Sequence, residues 1–242
     1  MQVDFPDGPL PPKFPSPDKI YKSFIFRYNI EKQAGMPSLS ERSFPLMQRH
    51  LFLTGPSGIG KTTLIREVLG SSLGYAGGFI TERALDEDGR LLGYDLYPAA
   101  AAADHSYYEG LRFLDYEWGG CDRDNDVFRY DAAQFLQESE YYPYAMLDEF
   151  GGFEIVIPQF RAALNDLLRL ELPIIGVLKG AESVRELRDR LGLGERFPAA
   201  AALLREELEQ DPDTLVVEMR GRGDENVREL VQAWAKEYVT IR

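Results

Sequence analysis

The chain has a single cysteine, Cys121, and only two histidines, His50 and His105, in 242 residues. One thiol excludes an internal disulfide and a cysteine-based zinc site, and two imidazoles are too few for a histidine-rich metal centre. Both histidines are read as structural or surface residues. Cationic charge is also scarce: 27 Lys and Arg stand against 40 Asp and Glu, a net charge of −13. Such a field opposes nonspecific contact with nucleic acid and anionic lipid, so neither nucleic acid nor a membrane is expected as a partner. A small anionic substrate would have to be held by local groups against that field. No run approaches the roughly 20 apolar residues of a membrane helix. The start Met1-Gln2-Val3-Asp4 lacks the basic and apolar regions of a signal peptide. A cytoplasmic protein is expected.

What the chain does have is 44% apolar residues, enough for the core of one large α/β domain. Residues 1–48 are set apart as an extension and 49–242 as the domain. Pro6, Pro9, Pro11, Pro12, Pro15 and Pro17 crowd the first 19 residues, which favours extended conformations and builds no core. Ile20 to Ile30 is aromatic, with Tyr21, Phe24, Phe26 and Tyr28. Its periodicity fits an edge strand, a docking arm or a short amphipathic helix equally well. Gly35 to Ser38 reads as a linker. The extension is the place where a protein partner would be recruited.

From His50 onward, apolar strands and helices alternate. Leu51-Phe52-Leu53 reads as a strand and Lys61 to Leu69 as a helix ending near Gly70. Gly78 to Thr81 and Leu91 to Tyr97 read as a hairpin across Asp86-Glu87-Asp88-Gly89. Asp131 is placed as the cap of a helix reaching about Ser139, and Tyr144 to Leu147 as a second strand. Pro158 opens a helix whose apolar face is Phe160, Leu164, Leu167 and Leu168. Pro173 to Leu178, a helix over Arg185 to Leu191, a helix over Ala199 to Gln210, Leu215 to Met219, and a helix over Asn226 to Tyr238 capped by Asp224 complete the pattern. Buried strands alternating with helices predict a mostly parallel sheet covered on both faces.

Gly55-Pro56-Ser57-Gly58-Ile59-Gly60-Lys61-Thr62 fits G-x-x-x-x-G-K-[ST] in full, between a strand and a helix, with Thr63 following. Its glycines let backbone N–H groups wrap phosphate oxygens. Lys61 can reach the β- and γ-phosphates, the Thr62 hydroxyl can ligate Mg²⁺, and the helix start adds its positive dipole. The fold expected is therefore the three-layer α/β fold of P-loop NTPases, with an inserted β-hairpin. Tyr144-Ala-Met-Leu-Asp148-Glu149 is a buried strand ending in acids: Asp148 to hold Mg²⁺ and Glu149 to orient and deprotonate water.

Other clusters carry less. Asp122-Arg-Asp124-Asn-Asp126 begins like a calcium loop, but Val127 stands where glycine is required and Ala133 where glutamate is. Arg185, Arg188, Arg190 and Arg196 are read as a solvated helix face, with a phosphate lid as the alternative. Arg129, within Val127-Phe128-Arg129-Tyr130, is a candidate for stabilising transition-state charge, the alternative being a surface ion pair with a nearby aspartate.

Together, these segments resemble the small cytoplasmic nucleoside-triphosphatase family that includes the cancer-related nucleoside-triphosphatases and their archaeal and thermophile relatives. The resemblance rests on the P-loop, on Gly77-Gly78-Phe79-Ile80-Thr81-Glu82 with Gly93-Tyr94, on Leu147-Asp148-Glu149-Phe150-Gly151-Gly152-Phe153-Glu154, and on Val127-Phe128-Arg129-Tyr130. It implies Mg²⁺-dependent hydrolysis of nucleoside triphosphates, with little base preference. By residue it implies functional Lys61, Thr62, Asp148 and Glu149, an acid at Glu154, and an arginine, Arg129, where a lysine is usual. Phe128 replaces a glycine, Val177-Leu178-Lys179 stands where a Thr-His pair is common, and the first 48 residues have no counterpart. Two other functions compete with hydrolysis of ATP, GTP and other nucleotides. One is a nucleotide-gated binding module with slow hydrolysis; the other is a kinase for a small acceptor.

Overall fold

Alternation along the strands dictates the layers. The computed structural model describes residues 47–103, 108–116 and 120–239. The proline-rich start, the aromatic segment, the linker at 35–38 and His105 lie outside them. In β1 (His50–Thr54), Leu51 and Leu53 point to one side of the sheet and Phe52 to the other, and all three are buried. The chain continues through α1 (Lys61–Leu69), β2 (Ala76–Leu85), β3 (Leu91–Pro98), β4 (Leu111–Asp115) and β5 (Asp122–Arg123). Next come α2 (Ala133–Glu138), β6 (Tyr144–Phe150), α3 (Pro158–Arg169) and β7 (Ile174–Leu178). The last elements are α4 (Ala181–Leu191), α5 (Arg196–Gln210), β8 (Thr214–Glu218) and α6 (Glu225–Tyr238).

The eight strands form one sheet in the order β5-β4-β3-β2-β6-β7-β1-β8. β2, β6, β7, β1 and β8 are parallel, while β3, β4 and β5 continue the sheet as an antiparallel meander. Each face has its own core. Leu51, Leu53, Met146, Ile175 and Val177 meet α1 and α6, whose Ile65, Val231 and Trp234 are fully buried. Phe52, Phe79, Leu147 and Ile174 meet α2, α3, α4 and α5 on the other face. This is the expected α/β three-layer arrangement.

Several boundaries differ from expectation for physical reasons. The hairpin grows into a four-strand antiparallel edge, because β4 and β5 add to it; both are short, and β5 is fully exposed, so neither shows a clear apolar period. Asp131 caps nothing. The helical segment starts earlier, as a π-helical stretch over Val127–Ala132 that runs into α2. α4 begins at Ala181, where Gly180 supplies an extended N-cap, and α5 begins at Arg196. The cap of α6 is as read: Asp224 accepts the backbone N–H of Val227.

Candidate functional site at the carboxyl ends of the parallel strands

The loop from β1 to α1 starts at Gly55, where φ is +126° and a Cβ would fall 2.4 Å from the Met219 carbonyl oxygen. Only glycine lets the loop turn so close to the segment that follows β8. Lys61, the first residue of α1, is 5% exposed, and its Nζ donates to the carbonyls of Pro56 (2.7 Å) and Gly55 (3.1 Å). Burial lowers its pKa, and the Lys179 charge pushes the same way against Glu149 and Asp148. Thr62, one residue on, sends its hydroxyl across to β6, where Oγ1 donates to Asp148 Oδ1 at 2.6 Å.

β6 delivers its acids through a break in pairing. Leu147 pairs with Gly176 and Phe150 with Leu178, so two residues of β6 oppose one of β7. A Cβ on Gly176 would lie 2.0 Å from the Leu147 carbonyl oxygen, so the strands close this tightly only over a glycine. Glu149 sits in the bulge at φ 58°, the single non-glycine residue with positive φ among the described residues. A side chain rarely adopts that conformation, at a cost of about 1–3 kcal/mol, and its occurrence beside a phosphate loop is typical of functional strain.

The two acids are tuned in opposite directions. Burial pushes the Asp148 carboxyl up to about 6, against the Thr62 hydroxyl and the Thr81 backbone N–H that favour its charge. Glu149 is held below its usual value by Lys179, whose Nζ lies 2.5 Å from Glu149 Oε2. Burial alone would lower Lys179, but the Glu149 and Glu154 carboxylates outweigh it and hold the ammonium above its usual value. Glu154 is buried, accepts the Gly152 N–H at 2.7 Å, and is raised by desolvation. Lys179 thus sits between two carboxylates, at the end of the strand that separates the P-loop strand from β6.

The donor set suits Mg²⁺. A threonine hydroxyl and a fully buried carboxylate meet at 2.6 Å, both hard oxygens, and Asp148 has no cationic side chain hydrogen-bonded to it among the described residues. No cluster of three His, Cys, Asp or Glu occurs among the described residues. One carboxylate and one hydroxyl would leave the other positions of such an ion to substrate phosphates and water.

Gly55 to Thr63, Asp148, Glu149 and Glu154 therefore converge, while Arg129 stands apart. Phe128 is buried with its ring edge-on to Phe113, Phe153 and Phe160, and its neighbour Arg129 is turned to the surface. There Arg129 pairs with Asp126 and lies over the Tyr130 ring. It lines none of the cavities beside the loop. In the arginine run, Arg188 pairs with Asp189 and Glu195, and Arg190 lines the cavity on the Glu149 side. The residue that sequence reading left without a role is Lys179, noted there only as a departure. Its one signal was being the first residue after a buried strand.

One cavity lies beside Thr54, Gly55 and Pro56, and two more flank the rest of the loop. One, of about 350 Å³, is lined by Ile59, Gly60, Thr63, Met219, Arg222 and Asp224 among others. The other, of about 370 Å³, runs from Ser57 and Glu149 to the antiparallel edge. Glu82 of the hairpin pairs with Arg66 of α1 at 2.7 Å, tying the β2 motif to the loop helix.

A phosphate loop entering a helix, with an acid reaching its threonine from a parallel strand, defines a P-loop protein. Residues 50–195 match a protein family described as NTPase, a span that contains the loop, the hairpin motif and the Asp148 to Glu154 segment. The chain belongs to that family. A segment of 53 residues is 53% identical to the human cancer-related nucleoside-triphosphatase and to its Bos taurus homolog, covering 21% of this chain and 27% of each relative. The Mus musculus homolog is 48% identical over 59 residues, covering 23% of this chain and 30% of the relative. The matched segments thus span under a third of these relatives. Among solved structures, THEP1 from the hyperthermophile Aquifex aeolicus aligns over 78% of this chain and 98% of its own, with a TM-score of 0.48 and 16% identity.

Proposed function

We propose that the chain hydrolyses nucleoside 5′-triphosphates to diphosphate and phosphate with Mg²⁺, accepting ATP, GTP and other bases. The observation that carries this reading is the 2.6 Å hydrogen bond from Thr62 Oγ1 to Asp148 Oδ1, with Glu149 next in the chain. That contact joins the phosphate loop to the two oxygens suited to a metal, and the neighbouring Glu149 carboxylate is held by Lys179. Thr62 and Asp148 would hold Mg²⁺, which would supply charge neutralisation at the nucleotide phosphates.

The chain's own groups do the rest. Backbone N–H groups of Ser57 to Thr63 cradle the phosphates, and Lys61 exchanges the loop carbonyls it now holds for phosphate oxygens. Glu149 accepts a hydrogen bond from the attacking water. Lys179 keeps it ionised at neutral pH, which makes it a weak proton acceptor but a fixed one. In a loose phosphoryl-transfer transition state, orienting the water is the larger demand. The nucleoside goes to the cavity at Ile59, Thr63 and Met219, whose lining holds no aromatic ring. Without a stacking platform, discrimination among bases is weak. A cytoplasmic location is compatible with that substrate.

Phosphate release from ATP, GTP, CTP and UTP, with Mg²⁺ and after chelation, tests the reading. Release from all of them within about tenfold of one another, lost with the metal, is the expected result. Wild-type turnover by Lys61→Ala would overturn it.

A further inference from the structure

Hydrolysis needs room for one water, about 30 Å³ of liquid volume. The cavity on the Glu149 side of the loop holds about 370 Å³. Its inner wall is aromatic: Phe79, Tyr94, Phe113, Phe128 and Phe153, with Phe128 edge-on to Phe113 at 5.0 Å and to Phe153 at 5.4 Å. Such interlocked rings make a preformed wall, the usual surface for a flat apolar ligand. Thr81, Tyr116, Ser183 and the buried Glu154 add polar groups to the lining, and the other polar groups gather at two places. Ser57, Glu149 and Lys179 stand at the loop, and the exposed Arg83, Glu186 and Arg190 stand at the mouth.

Depth follows from α4. Ser183, Leu187 and Arg190 line the cavity at helical spacing, and Ser183 also flanks the space beside Gly55. From Ser183 to Arg190 the helix rises about 10 Å. That matches the length of a ring system bearing a hydroxymethyl arm, with the arm at Glu149 and the ring on the aromatic wall.

The geometry points to a second substrate site: an acceptor pocket for a small aromatic or heteroaromatic alcohol, to which the γ-phosphoryl group passes in place of water. The inference rests on the nucleotide reading above. In the step, the acceptor oxygen forms a bond to Pγ while the bond from Pγ to the β,γ-bridging oxygen breaks, its electron pair leaving with the nucleoside diphosphate. The hydroxyl proton passes to the Glu149 carboxylate and then to solvent. The products are a phosphate monoester and a diphosphate. Phosphate release is the same step with water in the cavity.

The test measures ADP and inorganic phosphate together, using the full chain, Mg²⁺ and γ-³²P-labelled ATP, with 2-phenylethanol, tryptophol or pyridoxine as probes. In water alone, ADP and phosphate form in equal amounts. With an acceptor, ADP should exceed phosphate by at least about threefold, and the missing label should appear in an ester. Leu187→Trp, which narrows the cavity one helical turn beyond Ser183, should remove the ester; the volume-conserving Leu187→Met should keep it, which controls for folding. Equal ADP and phosphate with every probe, in a preparation that hydrolyses ATP, overturns the acceptor site and leaves hydrolysis standing. A parallel fall in both products also overturns transfer, since the alcohol then only blocks water. If ATP is neither bound nor cleaved under any condition, the nucleotide reading itself is what fails.

Discussion

The parallel and antiparallel parts of the sheet are built from similar residues, yet only the parallel part assembles a phosphate site. Parallel strands all end on one edge, so Gly55 after β1, Asp148 and Glu149 at the end of β6, Lys179 after β7 and Met219 after β8 converge there. In the antiparallel part, successive strand ends alternate between edges. Its charges neutralise one another locally: Arg112 pairs with Asp95 at 2.5 Å and with Asp115 at 3.4 Å, and in the π-helical segment that follows Arg129 pairs with Asp126. What the antiparallel strands contribute is wall, through Tyr94 and Phe113. A charged residue acquires chemistry from the edge on which its strand ends more than from its own type.

The strongest attempt to break this contrast is Lys61→Ala. It should lower kcat/KM for Mg-ATP by at least about a thousandfold, as expected when a charge facing the transferring phosphoryl is lost. Steady-state phosphate release on the folded variant checks it. Glu149→Gln should lower kcat by about a hundredfold while leaving Mg-ATP affinity close to wild type. Unchanged kcat with weaker affinity would show that Glu149 binds nucleotide and does not act on water.

Lys179 sharpens the comparison, because it lies on the same edge without belonging to a recognised motif. Lys179→Met should cost about tenfold in kcat by loosening Glu149. It has a second consequence with a defined sign. The ammonium holds Glu149 below its usual value, so removing it raises that pKa and moves the acid limb of the rate profile to higher pH. An unmoved acid limb would mean that the pair does not govern Glu149.

Asp148 has the opposite tuning. Its carboxyl must be ionised to hold Mg²⁺, and burial has raised it to about 6. Metal affinity should therefore be full above that value and fall by about tenfold per pH unit below it, one proton competing with one ion. Calorimetric Mg²⁺ titrations between pH 5 and 8 would show this, and Asp148→Asn should flatten the dependence while weakening binding.

The smallest effect is expected at Arg129, read from the sequence as a candidate for the transition state with a surface ion pair as the alternative. Arg129→Ala should leave kcat within about threefold and change stability by no more than about 1 kcal/mol, since an exposed ion pair contributes little. A hundredfold loss of kcat would restore Arg129 to the transition state.

The legible part of the molecule was the part whose cause is local. The eight residues from Gly55 to Thr62 announce a loop because glycine spacing and a following helix are contiguous in the chain. The Asp224 cap and the Asp86 turn were readable for the same reason; in the turn, Asp86 accepts the N–H groups of Asp88 and Arg90. β5 was invisible because two exposed residues hold their place only through the strand that pairs with them, and β4 because its buried pair, Phe113 and Leu114, is adjacent in sequence and shows no alternation. The sequence left Arg129 between two roles, because a helix period cannot be assigned where a π-helical stretch shifts the phase; in the structure it pairs with Asp126.

By itself, then, the sequence determined the nucleotide loop, the acid pair, the α/β layering and most helix and strand centres, since each follows from side-chain period and backbone chemistry within a short window. Only the tertiary structure decided the strand order that inserts β7 between β1 and β6, and with it the meeting of Lys179 and Glu149. It alone decided the bulge that sets Glu149 at positive φ, and the aromatic cavity that opens beside it. Those features depend on which strands pair across long stretches of chain and on how two cores fill, and no local pattern encodes either.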